Sequence, residues 1–388
     1  MERRTFMTAS AAASGAAFFS SLARGADSTA GVQRPTSETT GPRVDKQKAL
    51  DEDAVFSLSG VKPVQFPGGT LREMTAEDYP PIPNMASAQI DLDVGGMRGM
   101  HWHDTAGEIG YVVRGAALLT VIDASNNREI VALHEGDIYC VPVGFAHCLA
   151  CLGSEPCRVV AVYDDGRTVE SNAINVTDWL KAEPANILTA ILNVPGERLQ
   201  QSAGKIPLIS KHAPLLEVPA APHGFATTAA QSFRFPLAQM TPVTSSGGTF
   251  VQASRLDFPM SQTMVAALTV LFPGGIREPH WHPNADEWDY VLSGRAKITT
   301  FAGAGKSAVV EVGPGDLGYL PRNAAHAVQT IGDEPFRLLS IFNADSFQAI
   351  GLSGLLIGTP DELLARNLGL TEAEVSRITK EKKFITGT

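Results

Sequence analysis

His101-Trp102-His103, Glu108 and His147 recur as His280-Trp281-His282, Glu287 and His326. Every matched pair is 179 residues apart (280 − 101, 282 − 103, 287 − 108, 326 − 147). A single histidine is more often a satisfied core residue than a ligand, but three histidines and a glutamate recurring at fixed spacing point to a metal site. Three neutral imidazoles and one carboxylate form a donor set of mixed hardness. It suits a six-coordinate Mn(II) or Fe(II), with two positions left open for substrate or dioxygen. A structural zinc site would instead be closed by four ligands, commonly thiolates. The sequence therefore implies two metal ions per chain.

The elements that must hold these ligands follow from strand geometry. Residues i and i+2 of a strand face the same side, so His101 and His103 point inward together and Trp102 points away, as do His280, His282 and Trp281. Glu108 lies where the chain enters the next strand, and His147 follows a Pro142-Val143-Gly144 turn. The same offset relates Arg98 to Arg277, Gly115 to Gly294, Gly136 to Gly315, Pro142 to Pro321 and Gly68-Gly69-Thr70 to Gly247-Gly248-Thr249. Strand patterns cover 88–94, 109–114, 117–122, 137–141, 147–152 and 158–163, separated by Gly, Pro and Asn turns. Helical patterns cover 176–182 and 185–192 after the first repeat, and 360–367 and 372–380 after the second, with Thr359 and Thr371 as N-caps. The expected fold is all-β (mainly β): two tandem barrels, each followed by short α-helices. The expected boundaries are a first domain at 56–202, a crossover linker at 203–227 and a second domain at 228–388.

The 388 residues carry a net charge of −10, which argues against a nucleic-acid partner and against an anionic membrane surface. An anionic substrate then needs local positive charge inside its site. Residues 1–26 read as an export signal: Arg3-Arg4 and Phe6 precede a small-residue apolar stretch too short for a confident membrane span. The arginine pair resembles a twin-arginine signal; an ordinary signal peptide or an uncleaved anchor is the alternative. Its three arginines and one glutamate take the mature chain from −10 to −12, and the expected location is periplasmic or secreted, with no membrane contact after removal. Residues 27–55 read as a polar, flexible arm. All four cysteines, Cys140, Cys148, Cys151 and Cys157, fall in the first repeat. They read as buried small hydrophobes, with a Cys151–Cys157 disulfide as the alternative.

The motifs resemble the cupin superfamily. Gly-x5-His-x-His-x4-Glu-x6-Gly describes Gly95 to Gly115 and Gly274 to Gly294. Gly-x5-Pro-x-Gly-x2-His describes Gly136 to His147, and in the second repeat Asn323 replaces the last glycine. The resemblance implies double-stranded β-helix (jelly-roll) barrels. The His-Trp-His centres, Arg98 and Arg277, Asp164-Asp165-Gly166, Thr177-Asp178-Trp179-Leu180 and Gly332-Asp333-Glu334-Pro335 narrow it. They resemble the bicupin oxalate decarboxylases, over nearly all of the mature chain.

That resemblance implies manganese as the metal, dioxygen as co-catalyst, oxalate as substrate, formate and CO2 as products, and a homo-oligomer of trimers or hexamers. It also implies a lid glutamate over the N-terminal metal, in register here with Glu170 of Val169-Glu170-Ser171-Asn172. The flanking residues differ from the family's Ser-Glu-Asn-Ser. Ala349 stands 179 positions past Glu170, and Ser340 stands where the family has a second glutamate. The C-terminal centre is thus expected to lack both acids, leaving the N-terminal one catalytic. Arg98 and Arg277 are the expected substrate-binding cations; for Arg98 a buried ion pair with Glu108 or a neighbouring carboxylate is the alternative. Other readings are an oxalate oxidase releasing hydrogen peroxide, a non-catalytic manganese-binding bicupin, and a cupin dioxygenase or isomerase with a larger substrate.

Overall fold

The structure is a computed structural model that describes residues 55–125, 127–220, 232–303 and 305–387. The export signal and nearly all of the arm lie outside the described residues.

Each repeat forms a seven-stranded and a six-stranded antiparallel sheet. In the first repeat the larger sheet runs Ile138–Val141, Glu108–Arg114, Cys157–Tyr163, Ala86–Leu92, Gly69–Met74, Val64–Phe66. The smaller sheet carries Gly96–Trp102, Ala146–Cys151, Ala116–Ile122 and Arg128–His134. The turn before His147 requires a left-handed residue, supplied by Gly144 at φ 79°. Asn323 supplies it in the second repeat at φ 67°, a conformation asparagine tolerates because its short polar side chain bonds locally.

Strand Cys157–Tyr163 is apolar on both faces because both are covered. Its inward side chains fill the barrel. Its outward ones join an apolar cluster that continues into the second repeat through Leu268, Trp288, Tyr290, Leu339 and Ile341. The larger sheets are thus the surfaces through which the barrels meet.

The barrels also exchange strands. Val55–Ser57 pairs with Asp316–Gly318 of the second barrel, while Arg234–Phe235 pairs with Ile138–Tyr139 of the first. The exchange is reciprocal and in register: Val55↔Gly318 is matched by Arg234↔Tyr139, each residue shifted by 179. Arg234 further donates from Nε and Nη2 to the buried Asp137 carboxylate at 2.7 and 3.2 Å. A boundary read from local pattern misses this, because each arm's partner lies in the other repeat.

Helices Val176–Ala182 and Ala185–Leu192 stand where the pattern placed them. Four features differ. Gly196–Ala203 and Leu352–Ile357 are additional helices. The stretch read as a crossover contributes strand Ile209–Lys211, paired with Gly96–Arg98. Its counterpart, Ile385–Gly387, pairs with Gly275–Arg277, and that pairing draws the C-terminal chain back onto the barrel. The helix expected over 372–380 therefore stops at Val375, although Thr371 caps it as expected through a reciprocal bond with Glu374. At the preceding helix the N-cap is Pro360 and not Thr359.

Candidate metal centres

All eight expected ligands are buried, and they gather into two clusters. Within each, the donor atoms lie within 4.8 Å of one another. In the first barrel, Nε2 of His103 and of His147 lie 3.1 and 3.0 Å from Glu108 Oε2. The Nδ1 atoms of His101 and His147 donate to the backbone oxygens of Gly99 and Phe145, which fixes the tautomer and turns each Nε2 inward. Burial, then the neighbouring His147, hold His101 well below the ordinary histidine pKa, so it offers a neutral lone pair. Burial alone would raise Glu108; His147 and His103 outweigh it and keep the carboxylate well below the usual range. The His101 Nε2 is buried with no hydrogen-bond partner. A converging set of neutral imidazoles and one carboxylate, with a ring nitrogen left unbonded, fits a divalent cation.

Glu170 lies over this cluster on the short turn Glu170–Asn172 and is only 1% exposed. Its Oε2 accepts from Arg98 Nε at 2.5 Å and lies 3.3 Å from His101 Nε2. Its Oε1 accepts from the Tyr163 hydroxyl at 2.8 Å. Arg98 Nη2 also donates to the Glu170 backbone oxygen at 3.1 Å, and Nη1 donates to Asn175 Oδ1 at 2.8 Å. Burial, then the Glu170 charge, push Tyr163 well above its ordinary pKa, so its hydroxyl stays a donor. The buried ion pair of Arg98 is therefore with Glu170 and not with Glu108.

The second cluster repeats the ligand geometry. His282 and His326 Nε2 each lie 3.1 Å from Glu287 Oε2. Nδ1 of His280, His282 and His326 donate to the backbone oxygens of Glu278, Gln348 and Ala324. Nε2 of His282 and Oε2 of Glu287 are buried and, despite that approach, make no hydrogen bond, so this set fits a cation too. The surroundings differ. A cavity of about 20 Å³ adjoins it, lined by Arg277 and the rings of Phe250, Phe342 and Phe347. Arg277 packs 3.7 Å from the centre of the Phe384 ring and donates to that residue's backbone oxygen at 3.0 Å. Ala349 is not the structural counterpart of Glu170: Ile350 pairs with Trp281 as Ile174 pairs with Trp102, so the connecting stretch 343–349 is three residues shorter than 164–173, and it contains no glutamate.

An acid outside both expected positions stands beside the second ligand set. Asp289 is buried beside Glu287 and accepts from the Ser340 hydroxyl at 2.5 Å. Burial, then the Glu287 charge, push its pKa well above the carboxylate range. In the first barrel Tyr139 stands beside the ligand carboxylate, its hydroxyl donating to Glu108 Oε1 at 2.5 Å. The repeats trade side chains: Gly110 and Tyr139 in one, Asp289 and Gly318 in the other, each 179 apart. The Tyr139 ring occupies the space a Cβ at position 110 would need.

The cupin family model matches twice, over residues 58–200 and 236–376. An oxalate decarboxylase of Bacillus subtilis (strain 168) is 32% identical over 331 residues, covering 84% of this chain and 85% of that protein. The chain belongs to the bicupin oxalate decarboxylase family. A probable oxalate decarboxylase of Arthroderma benhamiae is 30% identical across 91% of this chain and 87% of its own length. A solved structure of the Bacillus subtilis decarboxylase, studied for its Mn(II) centres, superposes with a TM-score of 0.80 at 31% identity, over 86% of this chain and 89% of that one. Within this bicupin, Tyr139, Tyr163, Asn175 and Asp289 are the site residues that motif reading passes over. A usable signal existed for Asp289, which stands two residues after Glu287 on one strand and so faces inward with it.

Proposed function

We propose that the protein decarboxylates oxalate to formate and CO2, with manganese at two sites per chain and the N-terminal centre catalytic. The observation that carries this is Glu170, buried over His101 and bonded to Arg98 and Tyr163, with no glutamate in the shorter matching stretch, 343–349, of the second repeat.

The singly protonated oxalate monoanion yields formate and CO2 with its one proton moved to carbon, so the conversion is redox-neutral overall. Manganese, with dioxygen as co-catalyst, would supply the transient one-electron withdrawal that weakens the carbon–carbon bond. The protein's own part is charge and proton control. Arg98, already beside the cluster, pairs with a substrate carboxylate and stabilises the one that stays. Glu170 is the general base and acid: it takes the proton from the bound substrate and returns it to carbon after CO2 leaves. Tyr163 donates to Glu170 and fixes its direction. The turn that carries Glu170 covers the centre and keeps bulk water from the reacting carbon.

Export and assembly belong to the same proposal. Manganese stands last in the Irving–Williams order, so a three-histidine, one-glutamate site would lose it to copper or zinc. Twin-arginine export of a protein already folded in the cytoplasm would trap manganese first. Among the described residues no helix is long and apolar enough to cross a membrane. Helices Ala185–Leu192 and Asp361–Leu368 leave Ile191, Leu192, Leu363 and Leu368 exposed, which supports packing against other copies in a trimer or hexamer.

The test is to express the chain with manganese, measure bound metal, and assay formate and hydrogen peroxide from oxalate at mildly acidic pH. Formate with little peroxide is expected. Peroxide without formate would make the protein an oxidase. Neither product from loaded protein would return the reading to a metal-binding bicupin or to a larger substrate.

A further inference from the structure

Glu73 holds the turn that carries Glu170. Its Oε1 accepts the backbone N–H of Ser171 at 2.8 Å, a bond spanning 98 residues of sequence. Glu73 lies on strand Gly69–Met74, in the larger sheet of the first barrel, so the acceptor sits on a fixed element and the donor on a short turn. The remaining bonds of the turn are mostly local: Val169 N–H to Asn172 Oδ1 at 3.0 Å, Asn172 Nδ2 to the Arg167 oxygen at 2.6 Å, and Ala173 N–H to the Glu170 oxygen at 3.4 Å. They shape the turn without tying it to the barrel. Ties to the barrel come from the Glu170 residue itself, which must exchange them for substrate, from the Thr105–Thr168 hydroxyl contact at 2.8 Å, from the pairing of Ile174–Asn175 with His101–Trp102 just past the turn, and from Glu73.

The second repeat supplies an internal comparison. The residue 179 past Glu73 is Gln252. Gln252 Oε1 is buried without a hydrogen-bond partner, and the turn itself has no equal: Ile350 pairs with Trp281 as Ile174 pairs with Trp102, so the stretch before it is three residues shorter than in the first repeat. The carboxylate and the full-length turn that it holds occur together in the repeat that has Glu170 and are both absent from the second repeat.

We propose that Glu73 is a positioning residue, a latch whose carboxylate holds the Val169–Asn172 turn closed over the N-terminal centre. It acts through Ser171 and touches neither the ligands nor the substrate. A charged acceptor makes the stronger kind of hydrogen bond, and its partner is the backbone, so the latch does not depend on the side chain at 171. This inference rests on the decarboxylase reading for its catalytic consequence, but not for the latch itself.

The test is hydrogen–deuterium exchange of the metal-loaded full chain, comparing wild type with Glu73→Ala and with the isosteric Glu73→Gln. Exchange of the peptide covering 168–173 should rise about tenfold in Glu73→Ala, the ratio that ~1.4 kcal/mol gives. It should rise less in Glu73→Gln, which keeps an acceptor and loses the charge. Strand Ala86–Leu92 should be unchanged in both. Unchanged exchange at 168–173, or an equal rise across the whole first barrel, would overturn the latch. In the oxalate assay the same variants should shift product from formate toward peroxide. If wild type makes neither, the decarboxylase reading fails while the exchange result still decides the latch.

Discussion

Arg98 grips Glu170 twice, through the side-chain Oε2 and through the backbone oxygen, and the pair is almost completely excluded from solvent. Such a pair is costly to bury unless other bonds complete it. Asn175 Oδ1 on Arg98 Nη1 and the Tyr163 hydroxyl on Glu170 Oε1 do so. The cation meant for the substrate and the acid meant for the proton are thereby held in one frame before substrate arrives.

Asn175 anchors the far side of that frame. In Asn175→Ala the guanidinium keeps its charge but loses a fixed acceptor. We expect kcat/KM for oxalate to fall roughly tenfold, the effect of losing one hydrogen bond to a charged group. Metal content should be unchanged. Steady-state kinetics with metal analysis checks this, and unaltered kcat/KM would remove Asn175 from the frame.

The Tyr139 hydroxyl is the proton donor to Glu108, and partners of ligating carboxylates tune metal affinity by about 10–100-fold. Tyr139→Phe should weaken metal retention by the N-terminal centre within that range and leave the C-terminal centre unaffected. Timed chelator challenge followed by metal counting tests this: one ion per chain should leave early. Asp289→Ala should reverse the pattern, since Asp289 stands beside Glu287 as Tyr139 stands beside Glu108.

All four cysteines are free and buried. None should react with an alkylating reagent at pH 8 in the native protein, and all should react after denaturation. Burial pushes the Cys140 thiol up to about 12 from an ordinary 9.0. The unfolded chain releases that proton first, so Cys140 makes stability fall as pH rises through the window from 9 to 12. At pH 10 the loss is on the order of 1 kcal/mol. Denaturant titrations at pH 8 and 10 should show that difference narrowing in Cys140→Ala.

Much of the site was legible because its ligands obey a local rule. His101 and His103 share a face by strand alternation, and the 179-residue offset removes chance. The helices over 176–182 and 185–192 were legible from their own periodicity. What stayed hidden depends on register between distant strands. Nothing near Val55 announces that its partner is Gly318, and nothing near Tyr139 announces that its hydroxyl meets Glu108. Asp289 stayed hidden for another reason: the matched residue is Gly110, so comparing the repeats at the family's expected acid, Ser340, pointed to the neighbouring strand. Asp289 and Ser340 are cross-strand partners, and the acid sits on the other one.

The most direct measurement is formate release from oxalate by manganese-loaded Glu170→Gln beside wild type, with metal counted in both. Glutamine preserves shape and removes the proton carrier. Formate release should fall by about 10²–10⁴-fold with metal content unchanged, the usual effect of losing a positioned acid–base group. Formate release equal to wild type would contradict Glu170 as the proton carrier and the N-terminal centre as the place where it acts.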